Sequence, residues 1–272
     1  MRLSSSFRNP TAIRSDKPLS NDDIRRVAPS IFASEAHESR SDRYTYIPTI
    51  DVLEKLRLEG FMPFMVAQTR VRSEEKRDHT KHMIRLRYSG QINQKEANEI
   101  ILLNSHDGTS SYQMVSGVFR FVCANGLVCG DTHADYRVRH SGDVVGNVID
   151  GAFEVLERFT QVDEARDGMK SVELNYGQQL ALAHGALSYR YDTQAAPAPI
   201  TPAQVLAARR NEDRGNDLWS TYNRIQENMI KGGLRGRNAT GRPTKTREVK
   251  GIDQDIKLNR ALWVMAQHLR QA

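Results

Sequence analysis

The feature that most limits how this 272-residue chain can fold is a change of period near residue 144. Before it, Phe61 to Arg72, Met83 to Tyr88, Glu99 to Asn104, Tyr112 to Ala124 and Tyr136 to Arg139 are short runs of aliphatic, aromatic and β-branched residues that read as strands. Asp107-Gly108 and Asn125-Gly126 between them are turn dipeptides, because both supply positive φ at little cost. After it, Val145, Val148, Ile149, Ala152, Leu156 and Phe159 recur at three- and four-residue spacing and line one face of a helix. Strands grouped together and then helices, rather than strict alternation, predict an α+β protein. The expected architecture is a curved, mainly antiparallel β-sheet packed on a long helix, followed by a helical C-terminal region.

Helix signals extend this on both sides. Ser20-Asn21-Asp22-Asp23 forms a capping box for a short helix through Arg26. Thr49 opens a helix that carries Val52, Leu53 and Leu56 and stops at Gly60. Gln178 to Leu187 is helical, Ala195 to Pro199 is a linker, and Thr201-Pro202-Ala203-Gln204 is a helix start with a hydroxyl cap. Leu218, Tyr222, Ile225 and Met229 mark a further helix, and Leu258, Leu262, Met265 and Leu269 the last. The expected organisation is a polar N-terminal segment over 1–44, an α+β core over 45–194, and a helical basic region over 200–272. Residues 231–250, rich in glycine and almost without apolar periodicity, are expected to be a mobile loop.

The net charge is +6, from 39 basic and 33 acidic residues, and its placement says more than its size. From Thr201 to Ala272 there are 14 Lys and Arg against 7 Asp and Glu, so the excess is C-terminal. Lys231, Arg235, Arg237, Arg242, Lys245, Arg247 and Lys250 fall within twenty residues that hold one anion, Glu248. Such a segment is either a solvated linker or a phosphate-contacting arm that gains by releasing condensed counterions. A second cationic pattern lies in the strands. Arg70-Val71-Arg72, Arg85-Leu86-Arg87 and Arg137-Val138-Arg139 each put two guanidinium groups on one face, since strand side chains alternate. Two readings stay open for that face: one salt-bridged by Glu96, Glu99 or Asp135, or a groove along a sugar-phosphate backbone, with Arg120 as a further cation. Tyr88, Tyr112 and Tyr136 are placed to offer stacking surfaces for unpaired bases.

No Gly-x-x-x-x-Gly-Lys-Ser/Thr phosphate loop or Gly-x-Gly-x-x-Gly fingerprint occurs. Cys123, Cys129 and His133 do not have the tight spacing of a zinc knuckle, and a fourth ligand would have to come from His106 or His140. His106 and Asp107, with Asp131, are the best candidates for metal-dependent chemistry, but an Asp-Gly hairpin tip accounts for the same residues. No cofactor is expected. No apolar run reaches about 18 residues, so no membrane span is expected, and two cysteines fit a reducing, cytoplasmic setting.

Pro29-Ser30-Ile31-Phe32-Ala33, the run Glu38 to Thr49, Asn104 to Gly108 and Phe119 to Asp131 resemble a family found on plasmids and prophages. So do Gln226 to Leu234 and Lys257 to Met265. The family is catalogued as domain of unknown function 932, with bacterial members grouped as uncharacterised protein family 0380. The resemblance runs from about residue 20 to the end, and it implies roles in DNA processing, recombination or countering host defence. At the level of element order the chain is also similar to ring-forming single-strand annealing proteins. The expectation is a non-enzymatic, single-stranded-DNA-binding protein of a mobile element, forming homo-oligomers. The alternatives are a regulator that binds a host protein, and a metal-dependent enzyme acting on DNA.

Overall fold

The computed structural model describes residues 12–39, 46–71, 75–89, 96–120, 125–130, 136–138, 144–191, 193 and 195–271; of 125, 136–138, 144 and 145 it describes the backbone only. The chain forms two compact units, one of residues 1–117 with 135–157, the other of 118–134 with 158–272. The division therefore does not fall near 195. The chain enters the second unit at Val118, returns to the first at Asp135, and leaves again at Arg158.

The first unit is built on a curled antiparallel sheet. Its order is β1 (Ala12–Arg14), β2 (Phe61–Gln68), β3 (His82–Tyr88), β4 (Glu96–Asn104) and β5 (Tyr112–Arg120), with β7 (Tyr136–Val138) also paired to β5. The β2–β3 register shifts between Pro63 and Met65, where proline cannot donate to a ladder and the strand bends. Helix α1 (Asn21–Val27) starts at the expected capping box on Ser20 and buries Ile24 and Val27. Helix α2 (Thr49–Leu58) buries Val52, Leu53 and Leu56, and the chain leaves it through Gly60 at φ 89°. Helix α3 (Val144–Glu157) is the long helix of the expectation, and it buries Val148, Ala152 and Val155.

The second unit is mainly helical. It holds the end of β5, β6 (Asn125–Val128), α4 (Phe159–Lys170), α5 (Tyr176–Arg190), the short α6 (Pro202–Val205), α7 (Leu218–Lys231) and α8 (Ile252–Gln271). Asn125-Gly126 opens β6 instead of forming a turn. Asn175 with Gln178 and Thr201 with Gln204 make capping boxes, and Asp217 caps α7 by accepting from the Ser220 amide. The core gathers around α7, where Trp219 stacks on Tyr222 and Tyr222 meets Trp263 edge-on. Among the described residues, no helix is long and apolar enough to cross a membrane.

The polar residues of α7 are buried as well. Asn228 donates to the Val205 and Ala207 carbonyls, and Arg224 to the Asp213 and Gly215 carbonyls. Burial pushes the Glu227 carboxyl up, but hydrogen bonds from Lys231 and Arg210 hold it below the usual carboxylate value. These contacts tie the loop over 205–217 to the helix.

Candidate nucleic-acid interface

Within residues 231–250, the stretch expected to be a mobile loop, residues 235–245 form a β-hairpin. Helix α7 ends at Gly232 (φ 59°), followed by Gly233 (φ 85°), and these two left-handed residues turn the chain into β8 (Arg235–Arg237). The return strand is β9 (Pro243–Lys245). Asn238 organises the turn: its Oδ1 accepts from the Thr240 amide and hydroxyl and from the Arg242 amide. Buried Thr246 closes the base, its Oγ1 accepting from the Leu234 amide and its own amide donating to the Leu234 carbonyl. Sequence periodicity missed this element because each strand is three residues long, too short to show alternation.

Alternation nevertheless sets its faces. Arg235 stands opposite Lys245, Gly236 opposite Thr244 and Arg237 opposite Pro243. The Gly236 side lies on residues 199–200: the Arg237 amide donates to the Pro199 carbonyl at 2.9 Å, and a Cβ on Gly236 would stand 1.8 Å from that oxygen. The Arg235 carbonyl accepts from Gln204 Nε2 at 2.8 Å, so α6 holds the hairpin from its end. Arg235, Arg237, Arg242, Lys245 and Arg247 are all exposed. Among the described residues none of these five pairs with a carboxylate. Arg237 Nη1 donates to the Gly241 carbonyl, which leaves its charge uncompensated. The two ends differ: Lys231 is paired with Glu227 at 2.8 Å and Lys250 with Glu248 at 3.6 Å.

Beside the hairpin lies a cleft of about 370 Å³, whose described lining includes Arg190, Tyr191, Pro197, Pro199, Lys245 and Arg247 and, among the described residues, no carboxylate. Arg190 donates to the Met229 carbonyl and, at 2.6 Å, to the Arg247 carbonyl, fixing the end of α7 and the segment leading out of the hairpin. Its guanidinium sits 5.4 Å from the Tyr191 ring centre. Burial pushes the Tyr191 hydroxyl up, against the pull of that cation. Arg190 and Tyr191 were not among the sequence candidates, because a cation in the last turn of a helix reads as a partner for the helix dipole.

The arginines of the sheet require a correction. Arg85 and Arg87 do share a face, but inside the protein: they are 1% and 0% exposed. Glu99, directly opposite Arg87 in the ladder, accepts from Arg87 Nε at 2.8 Å and from Arg85 Nη1 at 3.1 Å. Arg87 also lies 4.4 Å from the centre of the Phe64 ring. The like charges on β3 are thus balanced by a carboxylate on β4, and this pair is not open to a polynucleotide. Arg120, 8% exposed, is likewise paired, donating to Asp213 at 3.0 Å. Arg70 is exposed beyond the end of β2. Arg72 and Arg139 lie outside the described residues, and Arg137 is placed only as the backbone partner of Gln113. Tyr112 is fully buried and Tyr88 is 41% exposed, so they do not form a common stacking surface.

The cluster around His106 resolves as structure. Asp107 Oδ1 accepts from the Thr109 amide and hydroxyl, and Gly108 has φ 74°, as the hairpin-tip reading requires. His106 is fully buried, its ring 5.2 Å from that of His82. Thr49 Oγ1 accepts from Asn104 Nδ2 and lies 2.9 Å from His82 Nε2 and 3.4 Å from His106 Nε2. The Thr80 carbonyl, 3.2 Å from His82 Nδ1, can only accept, and the Ser30 hydroxyl, 2.8 Å from the same nitrogen, donates to Gln68, so Nδ1 carries the proton. His82 is held neutral: burial first, then the neighbouring His106, push its pKa down to about 3. Asp131, Cys123, His133 and His140 lie outside the described residues, and Cys129 is buried. Among the described residues no group of three His, Cys, Asp or Glu is placed to hold a metal ion.

The family described as Domain of unknown function (DUF932) matches residues 36–263. The chain is 58% identical over 268 residues to the UPF0380 protein YfjQ of Escherichia coli (strain K12), covering 98% of this chain and 97% of that one. It is 58% identical to the UPF0380 protein YafZ of the same organism, with the same coverage. No solved structure matches. With a family match over most of the chain and relatives at this identity from end to end, the chain belongs to the DUF932 family, among its UPF0380 proteins.

Proposed function

We propose that the protein binds a polynucleotide, single-stranded DNA in the first place, through the β8–β9 hairpin of its second unit. The observation that carries this reading is the cross-strand pair Arg235–Lys245. Like charges directly opposite on a ladder repel, and here they stand exposed beside Arg237, Arg242 and Arg247 with no carboxylate among the described residues paired to them. A polyanion supplies the missing countercharge, and Arg forks and a Lys ammonium both suit phosphate oxygens. The pattern-level likeness to annealing proteins favours an unpaired strand. The function is binding rather than catalysis, in the cytoplasm, within DNA processing of a mobile element. The sheet arginines Arg85 and Arg87 have no part in it.

The test is fluorescence anisotropy of labelled single- and double-stranded oligonucleotides with the full chain at several salt concentrations. Affinity for the single strand falls with salt at a slope of about −0.7 per phosphate contact. Changing Arg235, Arg237 and Arg242 together to Ala makes that slope shallower by about 2. Equal slopes for wild type and the triple variant would remove the hairpin from the interface. Capture of one stoichiometric protein partner with no oligonucleotide shift would establish the rival reading, a protein-binding regulator.

A further inference from the structure

The cleft beside the hairpin has a composition that the hairpin alone does not explain. Among the described residues its lining combines a tyrosine and two prolines with Arg190, Lys245 and Arg247, and no carboxylate. At about 370 Å³ it falls at the small end of the roughly 300–1,000 Å³ typical of small-ligand sites, far too small for a duplex. Lys245 belongs both to this lining and to the Arg235–Lys245 pair of the exposed ladder, so a backbone following the hairpin passes the mouth of the cleft.

We infer that the cleft receives one unpaired nucleotide of a bound strand, its base against Tyr191 and the Pro197–Pro199 wall and its phosphate at Lys245 and Arg247. This rests on the nucleic-acid reading above and specifies the bound unit. A base presents a flat π face of any sequence, and a tyrosine with proline walls offers an apolar slot for it. Arg190 sets this slot: through the Met229 and Arg247 carbonyls it joins the end of α7 to the segment leaving the hairpin, and its charge lies near the Tyr191 ring. Because stacking between neighbouring base pairs covers both π faces in a duplex, the cleft selects single strands over duplexes without reading sequence.

The experiment compares a labelled single strand, the same strand with abasic sites throughout, its duplex, free deoxyadenosine monophosphate and a polyglutamate peptide. Each is titrated against the full-length wild type, Tyr191→Ala and Tyr191→Phe. Tyr191→Ala weakens binding of the base-bearing strand about tenfold, leaves its salt slope unchanged and does not alter the abasic strand, while Tyr191→Phe keeps the affinity. A Tyr191→Ala variant that weakens abasic and base-bearing strands alike, or neither, overturns the cleft while the hairpin interface survives. If the wild type binds no oligonucleotide at any salt, both readings fall together. Deoxyadenosine monophosphate binding as tightly as the strand and in a Tyr191-dependent way would assign a free-nucleotide site instead. Tyr191-dependent binding of polyglutamate alone would assign the cleft to an acidic protein segment.

Discussion

Arg87 and Glu99 face each other across the β3–β4 ladder, Nε to Oε1 at 2.8 Å, with both side chains wholly out of solvent. Arg85 reaches the other oxygen of the same carboxylate. Among the described residues, then, this one carboxylate pairs with two buried cations. Removing one partner of a buried ion pair costs about 3–5 kcal/mol, whereas replacing the whole group with apolar residues of similar size is often neutral. Glu99→Gln is expected to destabilise the protein by about that amount in urea unfolding, and Arg85→Met, Arg87→Met and Glu99→Leu together to restore most of it. A Glu99→Gln variant within about 1 kcal/mol of wild type would mean that the arginines reach solvent.

The buried histidine makes stability depend on pH with a definite sign. His82 has its pKa lowered from 6.5 to about 3, so between those values the unfolded chain takes up a proton that the folded chain refuses. Stability is therefore level above pH 6.5 with respect to this group and falls as the pH drops from there toward 3, by about 1.4 kcal/mol per unit. Asp23 and Glu227, whose pKa values are lowered from 3.8 and 4.5, add their own losses only nearer the carboxylate range. Urea midpoints at pH 7, 6 and 5 thus sample the histidine window apart from the carboxylates. His82→Gln removes about one proton's worth of slope from that window, and an unchanged slope would assign the acid sensitivity elsewhere.

Which parts of this molecule were legible in the sequence follows from the range of the forces involved. Capping boxes at Ser20 and Thr201 are contacts within four residues, so the sequence shows them complete. The spacing of Val148 and Ala152 likewise reports a helix face directly, although Val155 rather than Leu156 is the buried residue of its next turn. The burial of Arg85 and Arg87 was not legible in this way. Alternation puts them on one face, but whether that face meets solvent depends on Glu99, twelve residues from Arg87, and on what the sheet packs against. The hairpin over 235–245 was hidden for another reason. Its shape comes from Asn238, Gly241 and the Pro199 carbonyl, a turn side chain, a turn glycine and a distant backbone oxygen, none of which leaves a periodic trace. The cations were counted correctly, and their scaffold was not seen.

The Arg235–Lys245 pair separates stability from binding. Opposite charges across a ladder gain about 0.2–1 kcal/mol and like charges lose a similar amount. Lys245→Glu is expected to make the hairpin more protected in amide exchange while it weakens single-strand binding by tenfold or more, since it places a carboxylate at the phosphate path. Charge reversal that lowers protection and leaves binding intact would show that these two side chains avoid each other and do not await a ligand.

Gly236 is the residue on which the hairpin's seating turns. A methyl group there would stand 1.8 Å from the Pro199 oxygen and 2.8 Å from its carbonyl carbon, and both are backbone atoms that no rotamer change can move. Gly236→Ala must therefore separate β8 from residues 199–200 and break the Arg237 amide bond to Pro199. Overpacking of this kind costs about 1–3 kcal/mol, and here it falls on a peripheral element, so α7 and α8 should keep their packing. Gly241→Ala is the matched comparison. Nothing lies within 4 Å of a Cβ there, and its cost is only the strain of a left-handed residue at φ 77°. The expected result is that Gly236→Ala opens the hairpin to limited proteolysis and lowers oligonucleotide affinity severalfold, whereas Gly241→Ala does neither to a comparable degree. If the two variants were cleaved and bound alike, the seat on Pro199 would not be what holds the cationic face in place.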